Sequence, residues 1–169
     1  NSLAVYVLPS ADEWHKAAYY DPVADVWWDY PTGSNEPPIP VASGNAPGTA
    51  VWNQTTGPAD VRLAGGESPF GTVGQGGNVN EWEETAADLI NSEPTEVRGI
   101  RGGSSGLSSA PIDLSNLYRN NIFPPTGNPA NVGFRVVMIP EATSAALLAI
   151  AALCYSIMAP RSISAVSSK

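Results

Sequence analysis

The sequence predicts a turn-rich fold in which short β-strands accompany one clear α-helix. Glycine and proline occur 16 times each in 169 residues, and charged residues make up only 14%. Because glycine and proline favour turns and interrupt long helices, this composition is typical of many short elements. Hydrophobic residues reach 43%, which is enough for one domain with a substantial core.

The clearest helix is predicted to begin after Ser10. The Ser10 hydroxyl can cap the helix while Glu13 reaches back to the Ser10 amide, an arrangement known as a capping box. Trp14 and the alanines that follow it fall on one face of this helix, whereas His15 is expected to face solvent. The helix is expected to end before Pro22, because the residue preceding a proline avoids the helical conformation.

The rest of the chain is predicted to be irregular, with short strands. Residues 27–60 are rich in glycine and proline and are expected to form a long loop held in place by tryptophans. Strands are expected at residues 97–101 and 133–139, the second of which is rich in β-branched residues.

Charge and cysteine content narrow the range of functions. The net charge is −8, and residues 1–96 hold fourteen acidic residues against Lys16 and Arg62, a local charge of −12. An acidic surface repels phosphate backbones, so nucleic acid is not expected as a partner. Cys154 is the only cysteine, which excludes an internal disulfide framework and any cysteine-based zinc site.

Four segments, in order along the chain, resemble a known protein family. They are LPSADEWHKAA at residues 8–18, SPFG with GNVNEW within residues 68–82, RGGS at residues 101–104 and GFR at residues 133–135. These segments are similar to signature motifs of the formylglycine-generating (sulfatase-modifying factor) family. The resemblance implies an α+β fold of the C-type-lectin-like kind, with little regular secondary structure, over residues 1–138.

Five residues of these motifs are expected to have structural roles. Trp14 and Trp82 are predicted to anchor the core, since tryptophan buries a large apolar area. Arg101 and Arg135 are predicted to pair with acidic residues of the N-terminal half. Asn78 is predicted to occupy a tight turn, because asparagine tolerates left-handed backbone angles.

The resemblance implies a catalytic cysteine pair that this sequence lacks. In the family the two cysteines follow the serine of RGGS by three and by eight residues, which corresponds here to Leu107 and Ile112. Neither side chain can ligate a soft metal or form a disulfide, so no copper and no copper-dependent oxidation of a substrate cysteine are expected. The sequence therefore predicts a non-catalytic domain with a binding or structural role, whose ligand is an unknown protein or glycan.

The resemblance also implies a calcium site at GNVNEW. Its ligands would be the backbone carbonyls of Gly77 and Val79 and the carboxylate of Glu81, together with an acidic or amide side chain three residues before Gly77. Gly74 stands at that position and offers no side-chain oxygen. Because calcium takes about six to eight oxygen ligands, the substitution weakens the predicted site without excluding it.

Residues 139–169 are predicted to form a sorting tail. The sequence IPE at residues 139–141, followed by the charge-free residues 142–159, resembles the PEP-CTERM sorting signal of bacterial surface proteins. An apolar helix over residues 142–159 is long enough to cross a bilayer, and a helix buried in the protein is the alternative. The resemblance implies an exported protein that is held at the cell envelope or membrane-anchored, with the sorting machinery as a partner.

Two other functions remain open. One is a metal-dependent oxidoreductase of the same family that uses residues outside the usual cysteine pair. Non-haem iron sites rely on histidines, and His15 is the only histidine of the chain. The other is a lectin-like surface binder in which Trp27, Trp28 or Trp52 would contact a glycan.

Overall fold

The computed structural model describes residues 4–127 and 130–139, and Tyr6–Val137 form one compact unit. The strands are β1 (Tyr6–Val7), β2 (Tyr20–Asp21), β3 (Val26–Trp27), β4 (Ile39–Pro40), β5 (Thr49–Ala50), β6 (Asn80–Ala86), β7 (Arg98–Arg101), β8 (Asn120–Phe123), β9 (Val132–Gly133) and β10 (Val137–Met138). The helix α1 (Ala11–Tyr19) and two 3-10 turns, Val61–Leu63 and Pro111–Leu114, complete the described elements. This arrangement confirms an α+β fold with little regular secondary structure.

A four-stranded sheet in the order β8-β7-β6-β9 holds the longest strand, β6. β6 pairs antiparallel with β7 and parallel with β9, and β7 pairs antiparallel with β8. Side chains alternate between the two faces of a strand, and on β6 the residues of the buried face include Glu81 and Glu83. Trp82 lies between them and is only half-buried. The sequence analysis missed β6, because acidic residues stand where apolar ones are expected.

Helix α1 forms as predicted and packs against β6. Its capping box is complete, since the Ser10 amide donates to the Glu13 carboxylate at 2.8 Å and the Ser10 hydroxyl accepts from the Glu13 amide. Trp14 is fully buried, which confirms its role as a core anchor. The first amide of the helix, that of Ala11, donates to the Thr85 hydroxyl of β6 at 2.9 Å. The capping sequence and this contact fix where the helix begins relative to the sheet.

The long segment after α1 is largely irregular, as predicted. Within residues 27–60 each strand is only two residues long. Trp52 is 6% exposed, packs with Ala50 and Leu114, and donates its indole N–H to the Pro38 carbonyl at 3.0 Å. A buried indole with a satisfied N–H holds a loop in place without regular secondary structure.

The two predicted strands have different outcomes. β7 confirms the strand at residues 97–101. The continuous strand expected over residues 133–139 is wrong, because β9 ends at Gly133 and β10 contains only Val137–Met138. Arg135 lies between these strands, and its largely buried guanidinium pairs with Glu81 of β6 where a continuous strand was expected.

The predicted apolar helix over residues 142–159 and most of the predicted sorting signal lie outside the described residues. In the two described ranges, no helix is both long enough and apolar enough to span a membrane. Ala4, Val5, Met138 and Ile139 belong to a second unit, in which the Ile139 amide donates to the Val5 carbonyl at 2.9 Å. The boundary between residues 138 and 139 stays a prediction.

Candidate functional site

The GNVNEW and RGGS motifs lie against each other. The Gly77 amide donates to the Gly102 carbonyl at 2.6 Å, and the Ser105 amide donates to the Asn78 carbonyl at 3.0 Å. Asn78 has a φ of 62°, which confirms its predicted left-handed conformation. Its side-chain oxygen accepts from the Ala59 amide at 2.7 Å, so Asn78 also holds a neighbouring loop. The two motifs therefore form one structural unit.

A buried carboxylate on β6 joins two arginines of this unit. Glu83 is 0% exposed and accepts from the Nε atoms of Arg101 and Arg119, each at 2.6 Å. β7 passes close to this group, since a Cβ added at Gly99 would overlap the Glu83 carboxylate and the Arg119 guanidinium. Arg119 also donates to three backbone carbonyls, those of Thr85, Ala86 and Ala87. These hydrogen bonds offset the cost of burying one more positive than negative charge.

A second carboxylate on the same face of β6 joins the helix to the end of the domain. Glu81 accepts from Arg135 at both oxygens, Nε at 2.5 Å and Nη2 at 2.7 Å. The indole N–H of Trp14 donates to the same carboxylate at 2.7 Å. The prediction that Arg101 and Arg135 pair with acidic residues of the N-terminal half is therefore confirmed.

The contacts of Glu81 with Arg135 and Trp14 bear on its predicted role as a calcium ligand. The Glu81 carboxylate is engaged at both oxygens and its charge is compensated by Arg135, so it does not fit the role of a calcium ligand. The Gly77 and Asn78 amides donate to the Gly102 and Val51 carbonyls, and these contacts do not involve the predicted carbonyl ligands of Gly77 and Val79. In residues 4–127 and 130–139, no group of three or more His, Cys, Asp or Glu side chains could hold a metal ion.

The positions that correspond to the family's cysteines lie on the surface. Leu107 is 63% exposed and Ile112 is 50% exposed. Hydrocarbon side chains offer no donor atom to copper, so the residues present do not fit a copper site. Nearby residues line a small polar cavity of about 140 Å³ that includes Ser104, Asp113 and Tyr118. Burial, and then the negative charge of Asp113, raise the pKa of Tyr118 above its usual value of 10.0.

His15 does not face solvent as predicted. Its ring is half-buried, with centroid distances of 4.9 Å to Tyr19 and 5.1 Å to Trp27. The reason is the turn of the chain after α1, which places β3 beside the helix. Burial, followed by the positive charge of Arg101, lowers the pKa of His15 from its usual value of 6.5. The neutral imidazole is packed among rings, with no second histidine to share a metal.

The remaining tryptophans have different environments. Trp27 is 51% exposed and continues an aromatic surface through Tyr20, at 5.0 Å, to Phe70, a further 6.1 Å away. Trp28 is half-buried and Trp52 is buried, so of the three predicted glycan-contacting tryptophans only Trp27 offers an exposed ring.

Trp82 is not the core anchor that was predicted. It is half-buried and lines a cavity instead, because the alternation along β6 gives the buried face to Glu81 and Glu83. The sequence analysis also missed the role of Glu83. The signal that could have revealed it is the alternation of acidic residues at 81 and 83 beside a tryptophan, which is unusual for a solvent-exposed strand.

Comparisons with known proteins agree with the sequence motifs. A family model described as the sulfatase-modifying factor enzyme 1-like domain matches residues 1–139. Among solved structures the chain is similar to CarF, with a TM-score of 0.58, 22% identity, and coverage of 83% of this chain and 51% of CarF. It is also similar to variable protein 1 of Treponema denticola, with a TM-score of 0.55, 19% identity, and coverage of 80% and 48%.

The chain therefore spans about half the length of these two structures, and at such identities the likeness concerns the fold alone. A search among curated proteins finds no match.

Proposed function

Since the chain belongs to the sulfatase-modifying factor enzyme 1-like domain family over residues 1–139, we propose that it is a non-catalytic member with a binding role. In this proposal the chain keeps the fold of the family but lacks the cysteine pair that the family's oxidation reaction requires. The ion pairs centred on Glu81 and Glu83 hold the motifs together, whereas the two cysteine positions carry Leu107 and Ile112.

The main support for a non-catalytic role is that Leu107 and Ile112 are aliphatic and exposed. A thiolate pair is required to bind copper and exchange electrons, and a leucine and an isoleucine can do neither. Leu117, in the same loop region, is 84% exposed, so three large aliphatic side chains reach solvent within eleven residues. Exposed apolar groups rimmed by polar residues are typical of an interaction surface. These exposed aliphatic side chains are better suited to contact a partner than to carry out oxidation.

Incubation with a peptide that carries the sulfatase motif tests the proposal. The protein would be supplied with copper and oxygen, and the peptide would be assayed for aldehyde by mass spectrometry after capture with a hydrazide. We expect no aldehyde, whereas an active family member assayed in parallel should produce it. A Cys154→Ser variant shows whether the single thiol contributes to any signal. Aldehyde formation by the wild-type protein would refute the proposal.

A lectin-like surface is a second candidate, favoured by the aromatic surface of Tyr20, Trp27 and Phe70. The Trp27 ring is half exposed, and such a face can pack against the apolar side of a sugar ring. Glycan-array binding that is lost in a Trp27→Ala variant and retained in a Leu117→Ala variant would support this function. Glycan binding that is unchanged in the Trp27→Ala variant would exclude the aromatic surface as the glycan-binding site.

Export remains part of the proposal on sequence grounds. Its support is the IPE sequence at residues 139–141 and the charge-free residues 142–159 that follow. Fractionation of cells that express the full reading frame tests it, with recovery in the envelope as the expected result. Recovery in the cytoplasm alone would contradict it.

A further inference from the structure

A cavity of about 340 Å³ lies beside β6 and β7, apart from the polar cavity near RGGS. Three of its walls are apolar, formed by Leu8, Pro94 and Pro125. Trp82 and three charged residues, Glu83, Glu84 and Arg98, complete the lining. Cavities of a few hundred Å³ with apolar walls and few polar groups are typical of sites for small organic molecules.

The position of Trp82 leaves part of its ring available to a ligand. The neighbouring residues Glu81 and Glu83 point into the buried face of β6, and Trp82 lies on the opposite face in a half-buried position. A large aromatic ring at the wall of an open cavity offers an apolar surface that a bound molecule can cover.

Arg98 differs from the other arginines of the described residues. Arg62, Arg101, Arg119 and Arg135 each pair with a carboxylate. The guanidinium of Arg98 donates instead to neutral oxygens: Nη1 to the Glu84 carbonyl and the Asn91 side chain, each at 2.8 Å, and Nη2 to the Glu93 carbonyl at 3.3 Å.

These three hydrogen bonds fix the orientation of the Arg98 guanidinium, which makes no direct ion pair with a carboxylate in the part of the chain that the structure describes. Arginine recognises carboxylates through its planar fork of donors, so a guanidinium held in this way is prepared for an anion. The cavity also touches Glu84, whose exposed carboxylate accepts from the Asn91 amide at 3.1 Å. The negative charge of Glu84 limits the net positive charge of the cavity, so a ligand with one carboxylate suits it better than a ligand with several.

We propose that this cavity binds a small organic monocarboxylate with an apolar body, whose carboxylate pairs with Arg98 and whose body packs against Trp82. The site goes beyond the binding role proposed above, since it lies on other residues and does not depend on the missing cysteines.

Three matched ligands test the site: 3-phenylpropionate, its neutral amide 3-phenylpropionamide, and the cation 2-phenylethylamine. Binding would be followed by the indole N–H resonances of the ¹⁵N-labelled full chain, with the Trp82 signal identified by its loss in a Trp82→Phe variant. We expect 3-phenylpropionate to shift the Trp82 signal and to bind at least about tenfold more tightly than the amide, since a hydrogen bond to a charged group is worth more than a neutral one. The cation should not bind.

Two arginine variants complete the test. Arg98→Gln should weaken binding of 3-phenylpropionate at least about tenfold, whereas Arg62→Gln, at an exposed ion pair elsewhere, should leave it unchanged. If Arg98→Gln fails to fold, Arg98→Lys keeps the charge and should keep the preference for the carboxylate over the amide. Equal binding of carboxylate and amide by the wild-type protein, no shift of the Trp82 signal, or equal losses in the Arg98→Gln and Arg62→Gln variants would overturn the proposal.

Discussion

Replacing Glu83 with glutamine removes one negative charge from the centre of the domain and leaves its shape almost unchanged. The Glu83 side chain is 0% exposed, and it accepts from Arg101 and Arg119 at 2.6 Å each. Those two side chains are only 11% and 13% exposed, so water cannot replace the lost anion. A glutamine oxygen can accept from one guanidinium, but its NH₂ group then faces the other.

The expected cost follows from leaving buried charge without a partner. Removing one member of a buried ion pair destabilises proteins by about 3–5 kcal/mol. For a domain of this size that corresponds to a fall in melting temperature of roughly 10–20 °C. Glu84→Gln, at the exposed neighbouring position, is the matched control and should change the free energy of unfolding by less than about 0.5 kcal/mol.

Urea unfolding followed by circular dichroism measures both variants. A loss below about 1 kcal/mol for Glu83→Gln would refute the reasoning, because that value is typical of an exposed ion pair.

Two further predictions concern backbone fit and pH. Gly77 and Gly71 both have a φ of +77°, but an added Cβ overlaps the Val51 carbonyl only at Gly77. Gly71→Ala should therefore cost about 1–2 kcal/mol and Gly77→Ala clearly more, in the same unfolding assay; equal costs would contradict the fit. The pKa of His15 is lowered from 6.5, so the unfolded chain binds the proton more tightly than the folded one. Stability should be unaffected by this group above about pH 6.5 and fall as the pH drops below it, and His15→Gln should flatten that slope; an unchanged slope would contradict the assignment.

Local signals in the sequence predicted α1 and Asn78 correctly. The capping box depends on residues three positions apart, and the left-handed tolerance of asparagine depends on a single residue. Neither requires knowledge of the rest of the fold. The structure adds only what these elements contact, such as the Thr85 hydroxyl at the start of the helix.

The elements that were missed depend on partners far away in the sequence. Glu83 meets Arg101 and Arg119 at separations of 18 and 36 residues, and Glu81 meets Arg135 at a separation of 54 residues. Without these partners a buried acidic residue is unfavourable, so the alternation on β6 does not resemble a strand with an apolar inner face. Because Glu81 and Glu83 occupy the buried face of β6, Trp82 lies on the opposite face and lines a cavity instead of the predicted core.

The contacts of the Glu81 carboxylate and the half-buried position of His15 were missed for a related reason. The sequence shows that Glu81 has a carboxylate, but only the fold shows that Trp14 and Arg135 already occupy it. Likewise, the helical pattern places His15 on the outer face of α1, and only the tertiary fold shows that Trp27 covers that face. The functional group of each side chain could be predicted from the sequence. Whether that group is free to bind a ligand or is exposed to solvent could not.

The aldehyde assay on the full-length protein most directly tests the proposal that this domain is non-catalytic. With the sulfatase-motif peptide, copper and oxygen in excess, no aldehyde should form from the peptide cysteine at any time sampled, while an active family member produces it. Time-dependent appearance of a hydrazide-reactive aldehyde in the presence of this protein would show that oxidation proceeds without the cysteine pair, and it would contradict the account given for Leu107 and Ile112.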